Sequence, residues 1–244
     1  MLKPAAPAIA AIAVAGLLPL TGCGDDGSTP ARAAALRTPA SATAFQDQMV
    51  RVVDSVSPEV VQVQCGSSLG SGVVFDGRGN VVTNAHVVDG ARHCTVTLSS
   101  GDEHGATTVG SDPGHDIAVV HLSDATPEPA AFADSSKLQV GQIVLAMGNP
   151  LGLRSSVTQG IISSLDRNVA ESSNVELSAL IQTSAEINPG NSGGALVDLS
   201  GQVIGIPTLT AIDPEFGNAQ APGIGFAIPS NSVRSVADGL IGSG

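Results

Sequence analysis

The chain has 244 residues, 42% of them hydrophobic, which is enough apolar side chain for a substantial core in one or two domains and excludes a disordered class. Aromatic residues make up only 2%, with no Trp or Tyr, so packing must rest on Val, Ile, Leu and Ala. A formal net charge of −12 argues against nucleic acid as a partner, because phosphate binding needs clustered Lys and Arg that 10 dispersed basic residues do not provide.

From the start, Met1 to Gly22 carries one charge at Lys3, then an apolar stretch from Ala8 to Leu20. A charged start, a short apolar core and small residues before a cut describe an export signal, and the stretch is too short for a comfortable membrane span. Its end, Leu20-Thr21-Gly22-Cys23, resembles the bacterial lipobox, which implies lipid attachment to Cys23 and cleavage just before it, on the outer face of a membrane. Residues 23–44 are mostly Ala, Ser, Thr, Pro, Gly and Asp without apolar periodicity, and read as a flexible tether. Cys65 and Cys94 then form an even pair, which in an exported chain suggests a disulfide, with free buried thiols as the alternative. No Cys-x-x-Cys or His-x-x-x-His spacing accompanies them, so no zinc or other metal site is expected, and no cofactor.

Phe45, Met49, Val52, Val53 and Val56 recur at helical spacing, predicting a short amphipathic helix that stops before Pro58. Strands are expected at 60–65, 70–75, 80–85 and 94–98, the third delivering His86 at its end, and at 117–122 immediately after Asp116. Residues 124–136, rich in Pro, Ala and Asp, look like a connection between two halves. The second half repeats the texture at 140–147, 157–165, 180–183, 195–198, 202–206 and 223–228. Val233, Val236, Ala237 and Leu240 then share one face of a closing helix capped near Ser230. With 29 Gly and 15 Pro scattered between short Val/Ile-rich runs, the class is all-β, and two sets of about six strands suggest two antiparallel β-barrels. Barrel one would occupy about 58–124 and barrel two about 137–229, within a domain of 45–242.

Asn188-Pro189-Gly190-Asn191-Ser192-Gly193-Gly194 places one hydroxyl in a turn of small residues that leads into an apolar run. A nucleophilic serine needs such a place, because the chain must turn sharply to expose Oγ while backbone N–H groups face a developing oxyanion. Gly190 and Ser192 would supply those donors. Acyl transfer also needs a base and an orienting acid, and His86 and Asp116 stand at a strand end and a strand start. His93, His104, His115 and His121 compete with His86 for the base role.

The segments 83–88, 116–120, 148–153, 156–161, 182–196 and 223–229, in that order, resemble the HtrA/Deg family of trypsin-fold serine proteases. The resemblance implies two six-stranded barrels, a serine endopeptidase acting on exported or unfolded polypeptides, and His86, Asp116 and Ser192 as its triad. It favours His86 over the other histidines, and makes the strands that carry Cys65 and Cys94 neighbours. It places Glu186, Ile187, Ile206 and Pro207 along the substrate. Glu186 stands where the family usually has a small or apolar residue, so some acceptance of a basic residue before the cleaved bond is expected; Pro207 offers a substrate no N–H. Family members commonly carry a PDZ domain after the protease domain, and none is expected among the residues up to Gly244. Family members often form trimers through their N-terminal segment, so monomer and trimer both stay open, as do a latent peptide-binding protein or an esterase-like hydrolase on the same fold.

Overall fold

The computed structural model describes residues 40–149, 156–170, 176–188, 190–213 and 219–243. Cys23, the leader and the tether as far as Pro39 lie outside them. The first helix, α1, spans Ala40–Val56 and so begins ahead of the expected Phe45, since Ala40, Ala42 and Ala44 are good helix formers. Val52 and Val56 are buried and Met49 and Val53 pack beside them, whereas Phe45 is exposed. A 3-10 turn at Ser57–Glu59, containing Pro58, ends the helix.

Barrel one is a closed antiparallel sheet in the order β1-β2-β3-β6-β5-β4. Its strands are β1 (Val60–Cys65), β2 (Ser68–Val74), β3 (Asn80–Thr83), β4 (His93–Thr97), β5 (Glu103–Asp112) and β6 (Ile117–Leu122). Between β3 and β4 lies a single helical turn, α2 (Ala85–Val88), so His86 sits on that turn and not at a strand end. β5 was not expected from sequence. Its pattern is Thr, Gly and Ala with only Ala106 fully buried, so no alternation announces it.

Barrel two closes in the order β10-β11-β12-β9-β8-β7. It comprises β7 (Ile143–Gly148), β8 (Ser156–Ala170), β9 (Glu176–Thr183), β10 (Ala195–Asp198), β11 (Val203–Asp213) and β12 (Ala219–Pro229), followed by the helix α3 (Ser230–Ser243). The connection between the barrels is stitched to both: the Ala130 N–H donates to the Val74 carbonyl at 2.9 Å, and the Ala133 N–H to the Val203 carbonyl at 2.9 Å. Phe75 and Phe132 meet edge to face there, with ring centroids 5.5 Å apart.

Strand alternation explains why so many strands read as unbroken apolar runs. In β6, Ala118, Val120 and Leu122 fill barrel one, while Ile117 and Val119 face a second layer. In β7, Val144 and Ala146 fill barrel two, while Leu145 and Met147 face the same second layer. That layer also takes Val52 and Val56 of α1 and Val233 and Ala237 of α3, and it is the seam between the barrels. A strand buried on both faces cannot show a polar alternate.

Cys65 and Cys94 are bridged, with Cα atoms 4.3 Å apart. The register Gln62↔Thr97, Val63↔Val96, Gln64↔Thr95 brings the two cysteines opposite each other one step further along. Closing the loop stabilises the fold by about 3 to 4 kcal/mol in the chain-entropy model.

Glu59 carries a buried Oε2 with no partner among the described residues. Burial, and then the nearby negative charge of Glu128, raise its pKa from 4.5 to about 7. The folded state therefore favours the neutral acid. Its contribution is fully present below about pH 4.5 and is lost as the pH rises through about 7. Glu59→Gln is expected to stabilise the protein at pH 8 by about 1 kcal/mol, a modest figure because water screens the part-exposed carboxylate. Denaturant midpoints measured at pH 4.5 and pH 8 should show the gain only at the higher pH.

Candidate active site

Asp116 precedes β6 with a left-handed backbone, φ 51°, a conformation that Asp tolerates better than most residues. Its side chain is 1% exposed, so donors must replace the lost water. The Oδ1 atom accepts the His86 backbone N–H at 3.1 Å, and both carboxylate oxygens lie 3.0 Å from His86 Nδ1. Oδ2 also accepts a short hydrogen bond from the Thr208 hydroxyl of β11. The Asp116 carbonyl is held in turn by the buried Asn84 side-chain amide at 3.0 Å. The His86 side chain is 41% exposed, so the imidazole stands between a dry carboxylate and open solvent. A carboxylate against Nδ1 places the imidazole proton on Nδ1 and leaves Nε2 as an acceptor.

Three of the other histidines are engaged elsewhere. His104 meets Asp124, His115 meets Asp112, and His121 meets Asn80. His93 lies on β4 and is exposed. Of the five, His86 is the one that faces the buried Asp116.

The turn carrying Ser192 is held by backbone bonds from both barrels. Within it, the Asn191 N–H donates to the Asn188 carbonyl and the Gly194 N–H to the Asn191 carbonyl, each at 2.9 Å. From barrel one, the Ser71 N–H of β2 donates to the Ser192 carbonyl at 2.8 Å, and the Ser71 hydroxyl donates to the Gly190 carbonyl. From barrel two, the Pro207 carbonyl accepts the Gly193 N–H at 3.0 Å. Ser192 Oγ is 3.4 Å from the Thr208 carbonyl, a long contact. Glycine is required at 193, where φ is +81° and a Cβ would overlap the Ser71 carbonyl oxygen and the Thr83 hydroxyl. Gly190 has φ +101°. Among the described residues, neither the Gly190 nor the Ser192 amide has an acceptor.

The four residues expected along the substrate fare differently. Glu186 is exposed, and its carbonyl accepts the Thr158 hydroxyl at 2.7 Å. Ile187 is 4% exposed and packs in the interior of barrel two. Ile206 is 0% exposed, in the seam layer, and paired with Ile228, so it cannot touch a ligand in this conformation. Pro207 is also buried, with its carbonyl spent on Gly193. The residue of β11 that reaches the site is Thr208, one position beyond. Sequence reading had no signal for it, because a lone Thr in an apolar strand looks like any other strand residue. Thr208→Val keeps the shape but leaves a buried carboxylate oxygen short of a donor, and should cost roughly 1.5 to 3 kcal/mol in thermal or denaturant unfolding.

The model of the trypsin-like peptidase domain matches residues 70–206. The serine protease Do-like HtrA of Bacillus subtilis (strain 168) is 40% identical over 222 residues, covering 79% of this chain and 48% of that protein. The periplasmic serine endoprotease DegP of Escherichia coli (strain K12) is 47% identical over 182 residues, covering 74% of this chain and 37% of DegP. The chain thus spans half or less of the length of these relatives. The HtrA-type protease AlgW, solved with a tripeptide, superposes with a TM-score of 0.69 at 39% identity, covering 79% of this chain and 63% of AlgW. With the barrels, the bridge and the buried Asp116 carboxylate against His86 in place, these matches make the chain a member of the trypsin-like peptidase family, of the HtrA type.

Proposed function

We propose that the protein is a serine endopeptidase in which Ser192 attacks the scissile carbonyl, His86 takes and returns the proton, and Asp116 orients the imidazole and stabilises its charged form. The observation that carries this reading is the buried Asp116 carboxylate against His86 Nδ1, with His86 half open to solvent. It leaves Nε2 as the ring atom that acts as base. The Gly190 and Ser192 amides, which donate to no described residue, are the donors that a developing oxyanion would use. All the groups invoked are side chains and amides of this chain, so the mechanism needs no cofactor.

The substrates are extended or unfolded polypeptides outside the cytoplasm. The match to proteases named periplasmic, and to a relative solved with a tripeptide, supports this, as does the signal-like leader. Cys23 is the site of a lipid anchor, and residues between it and α1 set the distance from the membrane. No described helix is long and apolar enough to cross a membrane.

The test is covalent labelling by a fluorophosphonate together with casein digestion. The wild-type protein is expected to do both, and Ser192→Ala to lose the label and about six orders of magnitude in turnover. Labelling with ester hydrolysis but no digestion would redirect the reading to an esterase, and neither would leave a peptide-binding protein. Glu186 is exposed, so its acceptance of a basic residue before the cleaved bond is expected to be weak. A hydrated carboxylate offers about 0 to 1 kcal/mol to a cation, so peptide reporters ending in Arg and in Val should be cleaved at rates within about fivefold. A larger preference for Arg that disappears in Glu186→Gln would show that Glu186 selects a basic residue.

A further inference from the structure

We propose that Ser71 is a positioning residue for the oxyanion-binding turn, a reading that rests on the serine endopeptidase mechanism above. Ser71 lies on β2, in barrel one, and its side chain is 0% exposed. Every polar atom of the residue is used. The hydroxyl donates to the Gly190 carbonyl and accepts the Asn149 N–H at 2.8 Å. The backbone N–H donates to the Ser192 carbonyl at 2.8 Å, and the carbonyl accepts the Thr83 hydroxyl at 2.6 Å.

One residue of barrel one therefore grips the turn of barrel two on both sides of Asn191. The gripped residues, Gly190 and Ser192, are the two whose amides would bind the oxyanion. Gly190 has no side chain to restrain it and sits at φ +101°, a region in which glycine is free to move. The Gly190–Asn191 peptide is held at one edge by the Asn191 N–H bond to the Asn188 carbonyl and at the other by the Gly190 carbonyl's bond from Ser71. Oxyanion stabilisation falls steeply when donors are displaced by even an ångström, so a group that fixes Gly190 acts on the rate and not on substrate affinity. The bond from the Asn149 N–H aims the Ser71 hydroxyl. With one of its lone pairs taken by the Asn149 N–H, the hydroxyl oxygen is oriented so that its proton meets the Gly190 carbonyl. Nothing in this arrangement touches substrate directly, which separates Ser71 from the triad.

The prediction is a split between binding and reaction. In Ser71→Ala the fluorophosphonate should still bind, with KI within about twofold of wild type, while kinact falls about tenfold. Casein digestion should fall by a similar factor at temperatures well below unfolding. Ser71→Thr, which keeps the hydroxyl, should recover most of kinact. If Ser71→Ala does not accumulate as folded protein, Ser71→Cys carries the test, its weaker donor giving about a threefold fall in kinact with KI unchanged. A kinact equal to wild type in a folded Ala or Cys variant would overturn the proposal. So would a KI that weakens in step with kinact, which is the mark of a generally loosened cleft. If the wild-type protein neither labels nor digests, the endopeptidase reading itself fails, and that outcome is distinct from either of these.

Discussion

The relation between the two barrels is fixed by the apolar layer that lies between them, and every other feature of the site depends on it. His86 and Asp116 belong to barrel one and Ser192 to barrel two, so no single barrel holds the whole constellation. Ile117 and Val119 follow Asp116 directly along β6 and face the seam, while Ala195 and Val197 follow Ser192 along β10 and face it from the other side. Two strands that bury alternate side chains in one shared layer thus carry the acid just before one of them and the hydroxyl just before the other. Alternation makes this inexpensive: shifting either strand by one residue would send every seam side chain into a barrel interior.

Across that seam the polar contacts are few and buried. The Thr208 hydroxyl of barrel two reaches the Asp116 carboxylate, and Ser71 of barrel one reaches the turn at Ser192. The traffic runs in both directions, with each barrel contributing a hydroxyl to the other's functional element. Low-dielectric surroundings strengthen such bonds and make unpaired partners costly, so the two hydroxyls penalise misdocked barrels more than they add to overall stability.

Much of this was legible in the sequence. β1, β6 and β10 run where their apolar clusters begin and end, and the glycine turn around Ser192 is announced by composition. What was not legible has physical reasons. β5 is a polar, glycine-bearing strand whose partners β4 and β6 supply the apolar side chains, so its pairing is tertiary and leaves no periodic trace. β8, β9, β11 and β12 run longer than their apolar stretches because ladder hydrogen bonds continue past the core. His86 follows a strand into one helical turn, since a left-handed residue at Asp89 closes that turn at once. Ile206 and Pro207 are both buried, and the β11 residue whose side chain meets the Asp116 carboxylate is Thr208. Ser71 and Thr208 could not be singled out, because a hydroxyl's role depends on what faces it across the seam.

The bridge between Cys65 and Cys94 joins β1 to β4, and β1 against β4 is the pairing that closes barrel one. In an unbridged chain this contact must be found across a sequence separation of 29 residues, after the entropy of the intervening loop has been lost. Once oxidised, the chain keeps the two strand ends together even when the barrel opens. Refolding of the half that carries His86 and Asp116 then starts from a closed ring that needs only to be filled. Barrel two has no such covalent clasp among its described residues, so after oxidation the slower search belongs to the half that presents Ser192.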